Sequence, residues 1–145
     1  MKAVIVYYSA HHGNTKKVAQ AIARDRDVTL IDASAVKSAD LSGYELIGFA
    51  SGIYFGKFHE SVLEFAKNNF PEGKKVFFLS TYGGNSSTKA IEEAIRDKAP
   101  EIVGQFGCKG YDTFGPFKLV GGIARGRPNE TDLENARRFF DALSG

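Results

Sequence analysis

Several apolar runs in this chain are continuous rather than alternating, and strands of that kind must be covered on both faces. They are Ala3 to Tyr8, Val28 to Ile31, Leu46 to Ala50 and Val76 to Leu79, with a weaker run from Ile102 to Cys108. Between them the apolar residues switch to a helical spacing. Val18, Ala19, Ile22 and Ala23 make one stripe, and Val62, Phe65, Ala66 and Phe70 a second. Ala90, Ile91, Ala94 and Ile95 make a third, and Leu133, Ala136, Phe140 and Leu143 a fourth. Each repeats at three or four residues, so each offers one face for burial. Thr131 and Glu134 stand at capping-box spacing and predict where the last helix starts. Residues 33–44 leave room for only a short helix between the second and third strands.

Strands that alternate with helices in this way form a parallel sheet joined by right-handed crossovers. The predicted class is α/β, a doubly wound three-layer α/β/α sandwich. There is no composition break, repeat or low-complexity tract, and the expectation is one domain over residues 1–145. A chain of this length buries about two thirds of the surface it exposes when unfolded, so its core needs no disulfide or metal. Its single cysteine, Cys108, reads as a buried strand residue and fits a reducing, cytoplasmic setting. The apolar start, Met1 to Tyr8, is too short to span a membrane and lacks a signal-peptide pattern. The net charge is +2, with 19 basic residues scattered among 17 acidic ones. That distribution makes no electrostatic case for nucleic acid.

In sheets of this kind ligands bind outside the carboxyl ends of the strands, where the strand order reverses. The first such turn is Ser9-Ala10-His11-His12-Gly13-Asn14-Thr15. It is aimed at a helix N-terminus, whose N–H groups and dipole favour a phosphate. Ser9 and Thr15 add hydroxyls, Asn14 an amide, and Gly13 a close backbone approach. The Walker phosphate loop and the Gly-x-Gly-x-x-Gly dinucleotide pattern are both absent, which demotes ATP, GTP and NAD in their usual modes. His11, His12 and His59 lack a nearby carboxylate at a recognisable spacing, so no metal site is expected.

Two further loops follow strand ends. Ser51-Gly52-Ile53-Tyr54-Phe55-Gly56-Lys57-Phe58 is aromatic and glycine-rich, and Ser80-Thr81-Tyr82-Gly83-Gly84-Asn85-Ser86 repeats that character one crossover later. A flat conjugated ring could lie against them. Phe58 reads as packing.

A Ser/Thr-rich turn ending in Gly-Asn-Thr directly after the first strand resembles the phosphate loop of flavodoxins, and the resemblance extends over essentially the whole chain. It implies a five-stranded parallel sheet of order 2-1-3-4-5 and flavin mononucleotide (FMN) as cofactor. Ser9, Gly13, Asn14 and Thr15 match the loop, while His11 and His12 stand where the family usually has serines or threonines. The resemblance assigns the flavin ring to Ile53, Tyr54, Phe55, Gly56 and Lys57 and to Thr81, Tyr82, Gly83 and Gly84. Gly56-Lys57 matches the place where many flavodoxins turn a peptide toward the reduced ring. The implied function is electron transfer between redox partner proteins by a cytoplasmic monomer with no catalytic side chains of its own.

The chain departs from the family in lacking an acidic surface and any tryptophan. Lys57, if close to the ring, would favour negative charge on it. Gly84 stands where several relatives carry a large aromatic, which leaves one ring face open, and the long segment Lys109 to Glu130 is a candidate cover. These departures keep a second reading in view, an FMN-dependent oxidoreductase of the quinone or NAD(P)H reductase type. A phosphorylated receiver domain shares the sheet order, but it needs acidic residues where this chain has Tyr8-Ser9 and Ala50-Ser51.

Overall fold

The computed structural model of the chain describes residues 1–9, 13–83, 87–110 and 126–144. The expectations for His11, His12 and Gly84, and for most of the segment between Lys109 and Glu130, lie outside these residues. Five parallel strands, β1 (Ala3–Tyr8), β2 (Val28–Asp32), β3 (Leu46–Tyr54), β5 (Lys75–Tyr82) and β6 (Glu101–Lys109), lie in the order β2-β1-β3-β5-β6. This is the predicted 2-1-3-4-5 arrangement. A sixth strand, β4 (Lys57–Phe58), lies off that path and pairs antiparallel with the end of β3.

The central strands are buried on both faces, and alternate residues serve different layers. Val4 and Val6 of β1 face one core, together with Ile47, Phe49, Val76 and Phe78, and helices α2 (Glu60–Asn69) and α3 (Lys89–Ile95) cover it. Ala3, Ile5 and Tyr7 face the other, together with Phe77 and Leu79, beneath α1 (Asn14–Ala23) and α4 (Glu130–Ser144). The edge strands β2 and β6 are only partly buried, which accounts for the weak apolar signal from 102 to 108. Phe77 lies over Gly48 of the paired strand, where a Cβ would come within 2.3 Å of its ring.

Two local expectations are corrected. Residues 33–44 form no helix; Asp32 and Asp40 each accept from the backbone N–H and the hydroxyl of a serine two residues on, which turns the chain instead. Ala33 and Leu41 from this segment nevertheless fill the α2/α3-side core. The start of α4 is capped by Asn129 and Asp132 rather than by Thr131 and Glu134. The Asp132 N–H donates to Asn129 Oδ1 at 3.0 Å, and the Asn129 N–H donates to Asp132 Oδ2 at 2.8 Å. That reciprocal pair lies two residues earlier because Asp132 is also buried against Arg127, while Glu134 is drawn outward to Arg137 and Arg138. Among the described residues no helix is long and apolar enough to cross a membrane.

Candidate functional site

The chain leaves β1 for β2 on one side and returns to β3 on the other, so the strand order reverses between β1 and β3. The carboxyl ends of β1, β3 and β5 lie side by side there, with Tyr8 opposite Ser51 and Gly52 opposite Thr81. The nominated residues on these three ends are thereby brought together.

Helix α1 begins at this end of the sheet. Gly13 occupies its N-cap in the left-handed conformation, φ 65°, and no side-chain cap bond closes it. Its first turn holds no acidic residue, and Lys16 and Lys17 stand exposed there. Two cations oppose the helix dipole in that position, and an anion at the helix end would relieve the repulsion. Ser9 reaches the same turn by accepting from the Lys16 N–H at 3.1 Å.

Thr15 and Thr81 are both buried, and their hydroxyls bond each other at 2.8 Å. This ties the first turn of α1 to the end of β5. Asn14 is buried beside them and lies so close to Gly110 that a Cβ there would come within 2.6 Å of its Nδ2. The Asn14 and Thr15 side chains are buried and brace the helix end, so among the described residues of this turn the polar surface comes from the backbone and Ser9.

The segment after β3 is a hairpin. Tyr54 pairs with Lys57 and Ile53 with Phe58 across a two-residue turn. Phe55 and Gly56 form that turn with φ of 50° and 80°, both left-handed. This geometry suits the twist of a hairpin but is costly for an aromatic residue. Phe55 is 88% exposed, whereas Phe58 is buried against Phe78.

The ring of Tyr54 turns inward to a cluster that the sequence reading missed. His59 stacks flat on Tyr8, with centroids 3.7 Å apart and planes within 9°, and Tyr54 meets both rings edge-on. His59 is also the N-cap of α2, its Nδ1 accepting from the Ser61 N–H at 3.1 Å. Burial, the larger cause, and Lys37 push the His59 pKa below the usual 6.5, against an opposing effect of Glu60. The overlooked signal was His59-Glu60-Ser61, a polar residue directly ahead of an amphipathic stripe, in the position of a helix cap.

On the other side, the Tyr82 ring lies over Gly107, where a Cβ would come within 3.0 Å of it. A cleft of about 370 Å³ opens beside it, lined by Ser80, Ser87, Thr88 and Gln105 among others. Gly83 follows at the strand end, partly buried. Tyr54 and Tyr82 thus face different neighbours, with Phe55 and Lys57 on the exposed hairpin. Cys108 is buried nearby, its thiol pushed up to about 12 mainly by burial, and it is no nucleophile at neutral pH.

The family model for flavodoxin domains matches residues 5–111. The chain belongs to the flavodoxin domain family. An uncharacterised protein of Methanocaldococcus jannaschii is 41% identical over 99% of this chain and 98% of its own length. Among solved structures, oxidised flavodoxin 1 from Bacillus cereus superposes with a TM-score of 0.71 at 17% identity, over 99% of this chain and 97% of that one. A flavodoxin, WrbA-like protein from Agrobacterium tumefaciens gives 0.68 at 19%, over 99% and 94%. At that identity the two structures speak for the flavodoxin fold alone, while the family match brings with it the expectation of a flavin cofactor.

Proposed function

We propose that this flavodoxin-family chain binds FMN at the carboxyl ends of β1, β3 and β5 and carries electrons between redox partner proteins. The observation that carries the reading is the meeting, beside the β1/β3 reversal, of an anion-receptive α1 N-terminus and an aromatic hairpin. The residues present fit the group. A cap position without a side chain, a first turn without acid and the Ser9 hydroxyl suit a phosphate. The aromatic residues of the hairpin and of the β5 end suit a conjugated ring.

Ser9 and the loop through His11, His12 and Gly13 to Asn14 and Thr15 hold the phosphate in this reading, chiefly by backbone N–H donors. Ile53 to Lys57 and Thr81 to Gly84 adjoin the ring. Bound FMN supplies the capacity to accept and release one or two electrons. The chain's own residues bind it, orient it and set the charge around it, and Lys57 favours negative charge on the ring.

The absorption spectrum of freshly purified protein tests the assignment. Flavin bands in the blue and near ultraviolet, or their appearance with a tight fluorescence-quenching titration on adding FMN, are the expected result. A colourless protein that leaves FMN fluorescence unquenched overturns it. The net charge of +2, in place of an acidic surface, favours a second reading, an FMN-dependent quinone or NAD(P)H reductase. Consumption of NADPH by the loaded protein with a quinone acceptor separates that enzyme from a carrier.

A further inference from the structure

The hairpin that presents Phe55 and Gly56 is too small to hold its own position. It contains two cross-strand pairs, and an isolated ribbon of that size is marginal in water. Its turn also carries a left-handed aromatic residue. Among the described residues, contacts at its base tie it to the sheet. The His59 N–H donates to Ser51 Oγ at 2.9 Å, and the fully buried Ser51 hydroxyl donates in turn to the Gly52 carbonyl. The residue that leaves the hairpin is thereby tied to the strand that enters it.

The His59 ring completes the anchor. It stacks on Tyr8 of β1 and meets Tyr54, which sits on the first arm of the hairpin. Its Nδ1 accepts from the Ser61 N–H, and Ser61 Oγ lies 2.9 Å away. An accepting Nδ1 has a lone pair, so the ring is the neutral tautomer with its proton on Nε2.

We propose that His59 is a positioning residue for the 53–58 hairpin, anchoring the Phe55–Gly56 turn at the carboxyl end of the sheet only while its ring is neutral. A second proton on the ring removes the acceptor of the Ser61 N–H and sets a cation at the positive end of α2. Among the described residues, the titratable and charged groups facing the ring are Tyr8 from β1, Tyr54 from β3, Glu60 on α2 and Lys37 from the 33–44 segment. Burial and Lys37 outweigh Glu60, which keeps the ring neutral at pH 7. The consequence for the cofactor rests on the flavin reading above; the anchoring of the hairpin does not.

The test compares wild type, His59→Asn and His59→Ala, each flavin-free, in proton–nitrogen correlation spectra from pH 8 to pH 5. Asparagine does not titrate and ranks among the best N-caps, so the Asn variant folds with α2 capped. In wild type the amides of Phe55, Gly56 and Lys57 are expected to shift with the same midpoint as the His59 ring protons, below 6.5. In His59→Asn, which keeps the cap but not the ring, they do not move with pH, and in His59→Ala they are displaced further from the wild-type positions and likewise do not titrate. FMN titrations add a second readout, in which wild-type affinity falls about two- to thirty-fold over that range beyond any loss in His59→Asn, the range expected from losing a helix cap. Hairpin amides that stand still while the ring titrates, or that titrate equally in His59→Asn, overturn the proposal. Amides that follow the ring in a protein that takes up no FMN support the positioning role and defeat the flavin reading instead.

Discussion

Thr15 and Thr81 are 66 positions apart in the chain, yet each buries a hydroxyl whose partner is the other. Removing one of them leaves the second in a dry site without a bond, which costs more than removing both. Thr81→Val is expected to destabilise by about 1–3 kcal/mol, and Thr15→Val combined with Thr81→Val by less than the sum of the singles, as urea unfolding midpoints would show. Gly48 makes the opposite point, since a methyl there collides with the Phe77 ring. Gly48→Ala should cost about 1–3 kcal/mol by the same measurement. Neither role is legible in the sequence, where Gly48 is one member of an apolar run and Thr81 a plausible donor to a ligand. Both depend on strand register, which brings Gly48 opposite Phe77 and the end of β5 against α1. Composition and spacing do not encode register. His59 was hidden for a related reason, since a lone histidine invites thoughts of metal and its value as a cap depends on where α2 begins.

Among the elements, the hairpin from Ile53 to Phe58 separates what stabilises the fold from what serves the surface. A two-residue turn with both φ values positive is best filled by Asn-Gly, and here Phe55 stands in the Asn position. Phe55→Asn is expected to raise the melting temperature of flavin-free protein while weakening FMN binding. An unchanged FMN affinity would show that the exposed aromatic serves something other than the ring. The cap of α4 gives a second contrast. Asn129→Ala should lower stability by about 1 kcal/mol, whereas Thr131→Ala should leave the denaturation midpoint nearly unmoved. The long elements were legible because burial on two faces, or on one helical stripe, leaves a pattern over many residues. The two-residue strand β4, the turns across 33–44 and the position of one cap leave only local marks, and side-chain contacts outside the capping pattern, such as the ion pair of Arg127 with Asp132, decide between equivalent local choices.

At the scale of the whole molecule, proton binding ties these features to stability. His59 binds a proton less readily folded than unfolded, so its contribution is complete above about 6.5 and is lost as the pH falls through its depressed folded value. The carboxyls of Asp132 and Asp141 are held below the usual 3.8 chiefly by hydrogen bonds from Arg127 and Arg26, and their contributions fail only at lower pH. Denaturant midpoints measured against pH should therefore be flat between 6.5 and the approach to 9.0, where the Cys108 thiol ionises in the unfolded chain but not in the folded one. They should fall once as His59 charges below 6.5 and again below 3.8. His59→Asn should abolish the first fall and spare the second.

The position of α4 has a consequence for how the chain is made. Phe139 and Phe140 near the end of the chain meet Phe77 in its middle, Ala136 and Phe140 share a core with Ala3 and Ile5 at its start, and Asp141 reaches back to Arg26. On a ribosome the α2/α3 side of the sheet can close while synthesis continues, but the other side has only α1 over it until α4 emerges. Until α4 is made the nascent chain therefore carries a half-covered apolar face, and it is that unfinished surface, rather than the finished fold, that a chaperone would recognise.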